Sequence, residues 1–303
     1  MKLWAHYHVP ATVDEALRVL ADYDGAARVV AGGTDLLLEI RQGRRPPVEA
    51  LIDVTRIPEL ARMTSDGDRA TIGAGVTHSQ IVRSPVLRER ATCLVEGCGV
   101  VGGPQVRNVG TLGGNVAHAL PAGDGATALV ALDAEAEIAK EGERRWVAIQ
   151  EMYKGPATSL LDPTRDLLLT LRFRLAGEGQ GSAFKRIMRP QGVALPILSC
   201  AVWASLADDG IIAEARVCIG PVAPTPVRAE AVEAALQGRV LDAPALDDAV
   251  RAARETLHPR ASKYRATADY RVEMIEVLLR RALPLAVQRA RTGTAIPEGV
   301  GLQ

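Results

Sequence analysis

Apolar positions along the chain switch between strand-like and helix-like spacing, and glycine and proline cut them into short elements. Leu3 to His8 predicts a strand. Thr12 and Glu15 form a capping-box signal ahead of a helix carrying Ala16, Leu17, Val19 and Leu20 on one face, and Gly25 ends it. Arg28-Val29-Val30-Ala31 predicts a buried strand running into Gly32-Gly33, and Asp35 to Ile40 suits one or two helical turns before Gly43 and Pro46-Pro47. Ala50 to Val54 predicts a strand, Ile57 to Leu60 a turn, and Asp66-Gly67-Asp68 a hairpin into the small-residue strand Ala70 to Gly75. Thr77 to Gln80 caps a helix over Ile81 to Arg83, with His78 read as a surface or capping histidine. Leu87 to Val101 predicts one helix, ending at Gly102-Gly103-Pro104.

After a glycine-rich loop, Ala126 to Leu132 predicts a helix and Ala134 to Ile138 a strand, with further strands at Val147 to Ile149 and Leu167 to Phe173. Gly177 to Gly181 reads as a linker. Beyond it, Ile197 to Ser205 and Val217 to Gly220 suit strands, and 229–236, 246–257 and 270–287 show helical apolar spacing. Strands covered by helices make this half α+β. The stretch after Arg291 lacks periodicity and reads as a loose tail.

Two glycine motifs stand out. The stretch Thr111-Leu112-Gly113-Gly114-Asn115-Val116-Ala117-His118-Ala119-Leu120-Pro121-Ala122-Gly123-Asp124 carries a glycine pair between a threonine and an asparagine. Val30-Ala31-Gly32-Gly33-Thr34-Asp35-Leu36 repeats that chemistry. One such loop is either a tight turn or a site where successive N–H groups converge on an anion. Two, each with a threonine and an acid nearby, suggest two lips of one site for a phosphate-bearing cofactor. Strand, glycine turn and helix start can present free N–H groups to a phosphate. The spacing is not G-x-G-x-x-G, so a nicotinamide-binding Rossmann domain is rejected.

Composition narrows the function. The 303 residues hold 36 basic and 36 acidic side chains, which gives no support for nucleic-acid or membrane-surface binding. No stretch has the apolar length of a signal peptide core or a bilayer span, so a cytoplasmic location is expected. Cys93, Cys98, Cys200 and Cys218 lack the spacing of zinc or iron–sulfur ligands and read as small buried apolar residues. No metal site and no catalytic nucleophile–base pair is expected.

The two motifs in this order, Val30 to Leu36 and then Val106-Arg107-Asn108-Val109-Gly110-Thr111-Leu112-Gly113-Gly114-Asn115, resemble the paired FAD motifs of the flavin subunits of molybdenum hydroxylases. That family includes the medium subunits of aerobic carbon monoxide dehydrogenase, bacterial xanthine dehydrogenase and 4-hydroxybenzoyl-CoA reductase. Phe184-Lys185-Arg186, Ser262-Lys263-Tyr264-Arg265 and Ala268-Asp269-Tyr270-Arg271 resemble segments of its C-terminal domain.

The resemblance implies an α+β fold: a two-subdomain FAD-binding domain of the PCMH type over 1–176 (subdomains about 1–56 and 57–176), a C-terminal domain over 182–290, and a tail over 291–303. It implies that Ala31, Gly32, Gly33, Thr34, Asp35 and Leu36 wrap the FAD pyrophosphate through backbone N–H groups, with Val30 among the cofactor-binding residues. Thr111, Gly113, Gly114 and Asn115 supply the second lip. Asp124 matches an acid at the cofactor's polar end, Leu168 an apolar residue near the ring system or adenine, and Lys185 a lysine near the flavin. His118 stands where relatives place small or polar residues, and either bonds the cofactor or packs. These subunits resemble non-covalent FAD binders, so no covalent flavin attachment is expected, and the cysteine-bearing insertion of the 4-hydroxybenzoyl-CoA reductase subunit is missing, so FAD is expected without metal.

The implied function is electron transfer: a large molybdenum-cofactor subunit oxidises substrate, and a small [2Fe-2S] subunit passes electrons to FAD in this chain. They leave to NAD, a quinone or another acceptor, within a dimer of heterotrimers. The alternatives are a self-contained FAD-dependent oxidoreductase acting on a small organic substrate, and a scaffold that has lost its cofactor.

Overall fold

The computed structural model describes residues 3–140, 143–189, 195–263 and 265–299. Tyr264, within one of the C-terminal motifs, lies outside the described residues. The chain begins with a small parallel sheet: β1 (His6–His8), α1 (Val13–Asp22), β2 (Ala27–Val30), α2 (Leu36–Arg41) and β3 (Ala50–Asp53), in the order β1-β3-β2. Thr12 caps α1 through the Glu15 N–H, but the Glu15 carboxylate reaches back to the Ala11 N–H rather than to the cap residue.

Next come β4 (Met63–Asp66), β5 (Arg69–Gly73) and a run of short helices: α3 (His78–Arg83), α4 (Pro85–Arg90), α5 (Thr92–Gly99), α6 (Pro104–Val109), α7 (Leu112–Ala117) and α8 (Asp124–Ala131). The single helix predicted over 87–101 is two, broken at Ala91. Strands β6 (Glu135–Lys140) and β7 (Glu143–Ala148), the small hairpin β8 (Tyr153–Gly155) and β9 (Thr158–Ser159), and β10 (Asp166–Arg174) complete this half. β10 is central in the antiparallel order β4-β5-β10-β6-β7. It is buried on both faces: Leu168, Leu171 and Phe173 join the core under α5 and α8, while Leu167 and Leu169 join the core of the parallel sheet. One strand thus ties both N-terminal layers together.

The second half is a four-stranded antiparallel sheet, β11 (Gln180–Ile187), β12 (Leu198–Leu206), β13 (Ile212–Gly220) and β14 (Val227–Arg228), covered by α9 (Glu230–Leu236), α10 (Ala243–Thr256) and α11 (Ala268–Thr292). Its other face is not solvated. Phe184, Ala201, Trp203 and Cys218 pack into the N-terminal core, while Ala183, Cys200, Val202 and Ala204 pack under the C-terminal helices. Strand alternation therefore makes this sheet the partition between two cores.

Two sequence expectations fail here. The stretch read as a linker ends inside β11, and any side chain at Gly181 would overlap the backbone of α11. The tail is tied down: Arg289 donates to the Ile296 carbonyl (2.6 Å), and the Glu298 N–H donates to Glu96 (2.7 Å). All four cysteines are free and buried, as their spacing implied. Among the described residues no helix is long and apolar enough to cross a membrane.

Candidate cofactor site

A cavity of about 680 Å³ opens between the parallel sheet, the short helices and the first strand of the C-terminal sheet. That volume is in the range of cofactor pockets. Both glycine motifs line it: Val30, Ala31, Gly32, Gly33, Thr34, Asp35 and Leu36 on one side, Thr111, Gly113, Gly114, Asn115 and His118 on the other.

The two lips touch. A methyl group at Gly32 would overlap the carbonyl oxygen of Val109, so only glycine lets the first loop close on the second. Gly33 follows with φ +65°, which turns the chain from β2 into α2. The lips differ in what their backbones offer. In the second, the N–H of Leu112 donates to Val76, that of Gly113 to Ala74 and that of Gly114 to the Thr111 hydroxyl. The predicted open loop is in fact the Thr111-capped start of α7, with its donors satisfied by protein. In the first, the N–H groups of residues 32–36 have no protein acceptor among the described residues. Five successive unmet donors beside a cavity are the backbone arrangement that holds phosphate oxygens.

Asn115 is structural as well as cavity-lining: its Oδ1 accepts the Ala126 N–H (3.0 Å) and so caps α8. That places Asp124, the first residue of α8, at the cavity wall with 3% of its surface exposed. Arg186 Nη1 donates to Asp124 Oδ2 at 2.6 Å, while Oδ1 is buried with no partner. Burial pushes the Asp124 carboxyl up to about 6, against the opposing pull of Arg186. Leu167 and Leu168 add apolar wall from β10. His118 stands 3.7 Å from Glu39 and 4.0 Å from Asp35, bridging α7 toward α2.

Lys185 does not join the others. It shares the β11 face of Ala183 and Ile187, and its Nζ pairs with Glu298 at 2.5 Å. The next residue, Arg186, lies on the face of Phe184 and lines the cavity instead. Sequence reading located the right segment and missed the parity of the strand.

His78 was also misread. It is 2% exposed, lines the cavity, and its backbone N–H donates to Gly110 (3.0 Å). Burial, and then the charge of Arg107, pull its imidazole down to about 4.

The residues fit a dinucleotide: free amides for phosphates on one lip, a close-packed second lip, a buried acid with an unused oxygen, and apolar walls. Comparison with known proteins agrees. A family described as the FAD binding domain in molybdopterin dehydrogenase matches residues 3–173, and one described as the CO dehydrogenase flavoprotein C-terminal domain matches 182–286. The carbon monoxide dehydrogenase medium chain of Hydrogenophaga pseudoflava is 31% identical, over 93% of this chain and 97% of that one. A putative xanthine dehydrogenase FAD-binding subunit of Escherichia coli K12 is 30% identical, over 95% and 97%. The solved carbon monoxide dehydrogenase from H. pseudoflava superposes with a TM-score of 0.88 at 33% identity, covering 94% of this chain and 98% of that one. Quinoline 2-oxidoreductase from Pseudomonas putida 86 gives 0.87 at 27% identity, covering 95% and 98%.

Fold and cavity together define an FAD-binding flavoprotein. More narrowly, the chain belongs to the family of flavin subunits of molybdopterin dehydrogenases, with a C-terminal domain of the carbon monoxide dehydrogenase type.

Proposed function

We propose that this chain is the FAD-carrying electron-transfer subunit of a molybdenum-containing hydroxylase or dehydrogenase complex. The observation that carries the reading is the row of unmet N–H donors at residues 32–36, closed against Val109 at the cavity wall. Bound FAD supplies a group that takes electrons singly and gives them up in pairs.

The chain's own residues bind and orient it. The amides of 32–36 hold the pyrophosphate, Gly113 and Gly114 let the second lip lie close, and Leu167 and Leu168 exclude water from the apolar part of the cavity. Asp124, anchored by Arg186, sets a buried carboxylate at the cavity wall, toward the polar end of the cofactor. The FAD-binding domain runs over 1–176, with subdomains about 1–56 and 57–176, and the C-terminal domain over 182–290.

The partners in this reading are a large molybdenum-cofactor subunit and a small [2Fe-2S] subunit, in a cytoplasmic dimer of heterotrimers. The external acceptor is NAD, a quinone or another carrier, and no residue here touches the hydroxylated substrate. The names of relatives, a medium chain and an FAD-binding subunit, support membership in such a complex.

The first test is the visible absorption spectrum of the purified chain, before and after anaerobic NADH. A flavin spectrum without iron–sulfur absorption is expected; bleaching by NADH identifies a nicotinamide acceptor. A colourless chain that still takes up no added FAD overturns the reading. In the assembled complex, Gly114→Val is expected to remove flavin while leaving reduction of the molybdenum partner by substrate intact. Loss of both in an assembled complex counts against the division of labour.

A further inference from the structure

Among the described residues, His78 is the one buried polar side chain at the seam of the two lips whose ring neither lip uses. Its place is tightly specified. Thr77 and Gln80 form a complete capping box at the start of α3, Thr77 bridges to Thr111, and the His78 N–H donates to the Gly110 carbonyl. A side chain at Gly110 would lie 3.6 Å from His78 Cδ2 and 3.7 Å from the Thr34 hydroxyl, so the imidazole stands directly behind the junction of both motifs.

Yet neither ring nitrogen has a hydrogen-bond partner among the described residues, and of the two only Nδ1 is sealed from solvent. A neutral imidazole carries one donor and one acceptor. Nε2, unmet but not sealed, is the nitrogen left for a ligand at the cavity His78 lines, and folded proteins rarely bury a polar ring this unpartnered without a ligand, water or function to use it. An apolar residue would fill the same volume without the unmet ring atoms. Arg107, whose Nη1 is held by the Val101 and Gly102 carbonyls, is the charged group acting on the ring. Burial first, and Arg107 second, keep a positive charge from forming on the ring.

Resting on the flavin reading above, we propose that His78 is a cofactor-positioning residue: its neutral ring hydrogen-bonds the FAD, directly or through one water, where the first lip closes on the second. Its role differs from that of the glycines. They make room; the histidine fixes the cofactor's register against the seam. The apo protein bears the cost of the unmet ring.

This separates two quantities that a merely structural histidine would move together. His78→Leu is expected to leave the thermal midpoint of the FAD-free chain unchanged or raised, while the FAD dissociation constant, read by flavin fluorescence, rises about tenfold. His78→Gln, which restores a donor and an acceptor, is expected to recover most of that affinity. The inference is overturned if His78→Leu binds FAD as tightly as wild type. It is equally overturned if both variants lose affinity together with apo stability, because the ring is then only packing. If His78→Leu does not fold, the Gln variant decides alone: near wild-type affinity supports the inference, and a tenfold loss overturns it. A wild-type chain that takes up no FAD removes the flavin reading itself, a different outcome from equal binding by wild type and variant.

Discussion

Glu96 and Arg289 stand 193 residues apart in the chain and meet as a buried ion pair, Nη2 to Oε1 2.7 Å. The same carboxylate accepts the N–H groups of Phe184 (2.7 Å) and Glu298 (2.7 Å). One side chain on α5 thereby joins the N-terminal core, the first strand of the C-terminal sheet, the last helix and the tail. Removing one partner leaves an uncompensated buried charge. Glu96→Ala is expected to cost about 3–5 kcal/mol in urea unfolding and to open residues 293–298 to proteolysis. Glu96→Leu combined with Arg289→Met is expected to be less destabilised than Glu96→Ala alone, because no lone charge remains.

His78 and Asp124 both line the cavity and are shifted so that their pH effects oppose. His78 is pulled from 6.5 to about 4, so the unfolded chain protonates first; its contribution to stability is present above about pH 6.5 and is lost as pH falls toward 4. Asp124 is raised from 3.8 to about 6, so the folded chain protonates first; its contribution is present below 3.8 and is lost as pH rises through 6. Relative to wild type, His78→Leu is expected to gain stability as pH drops from 7 to 4, and Asp124→Asn to lose it. Each change is on the order of 1–3 kcal/mol. Chemical denaturation of the FAD-free chain across that range checks both slopes, since all other titrating groups cancel in the difference. Profiles parallel to wild type would refute the assignment.

Gly32 and Gly114 belong to matching motifs but differ in what a side chain would meet. At Gly32 a methyl runs into the fixed carbonyl of Val109; at Gly114 its nearest neighbour is the Thr111 hydroxyl at 3.0 Å. Gly32→Ala must part the two lips, at a cost of about 1–3 kcal/mol, and is expected to abolish flavin retention. Gly114→Ala is expected to keep the apo melting temperature within about 2 °C of wild type. Calorimetry and the flavin-to-protein absorbance ratio read both.

The parity of β11 makes Arg186, not Lys185, the cation at the cavity. Lys185→Ala breaks only the partly exposed pair with Glu298 and is expected to leave FAD affinity unchanged. Arg186→Met frees buried Asp124 from its partner and is expected to weaken FAD binding by about tenfold or more. Titrating both apo variants with FAD separates them, and a reversed order would restore Lys185 to the site.

The sequence by itself determined most of the strands and longer helices and singled out the two glycine motifs, because these rest on local chemistry, but it passed over α6, α7 and β11. Gly32-Gly33 must turn a buried strand into a helix. The α+β character of the second half was legible for the same reason, since strand and helix periods are written in neighbouring residues, while that of the first half came from the family resemblance. Tertiary structure alone decided which donors were left over. Gly113 and Gly114 have the composition of an open phosphate loop, but Val76, Ala74 and Thr111 consume the N–H groups there, and only the first lip keeps its own. Whether Lys185 or Arg186 faces the cavity turned on strand parity, which one residue of register reverses. His78 looked like a surface cap because Gly110, beside its ring, and Arg107, whose charge acts on it, are residues that only the fold brings near. The tail looked loose because its anchors, Glu96 and Lys185, lie in other elements far along the chain. Contacts between distant segments depend on shape complementarity that no local pattern encodes, and the geometry of this site is made of such contacts.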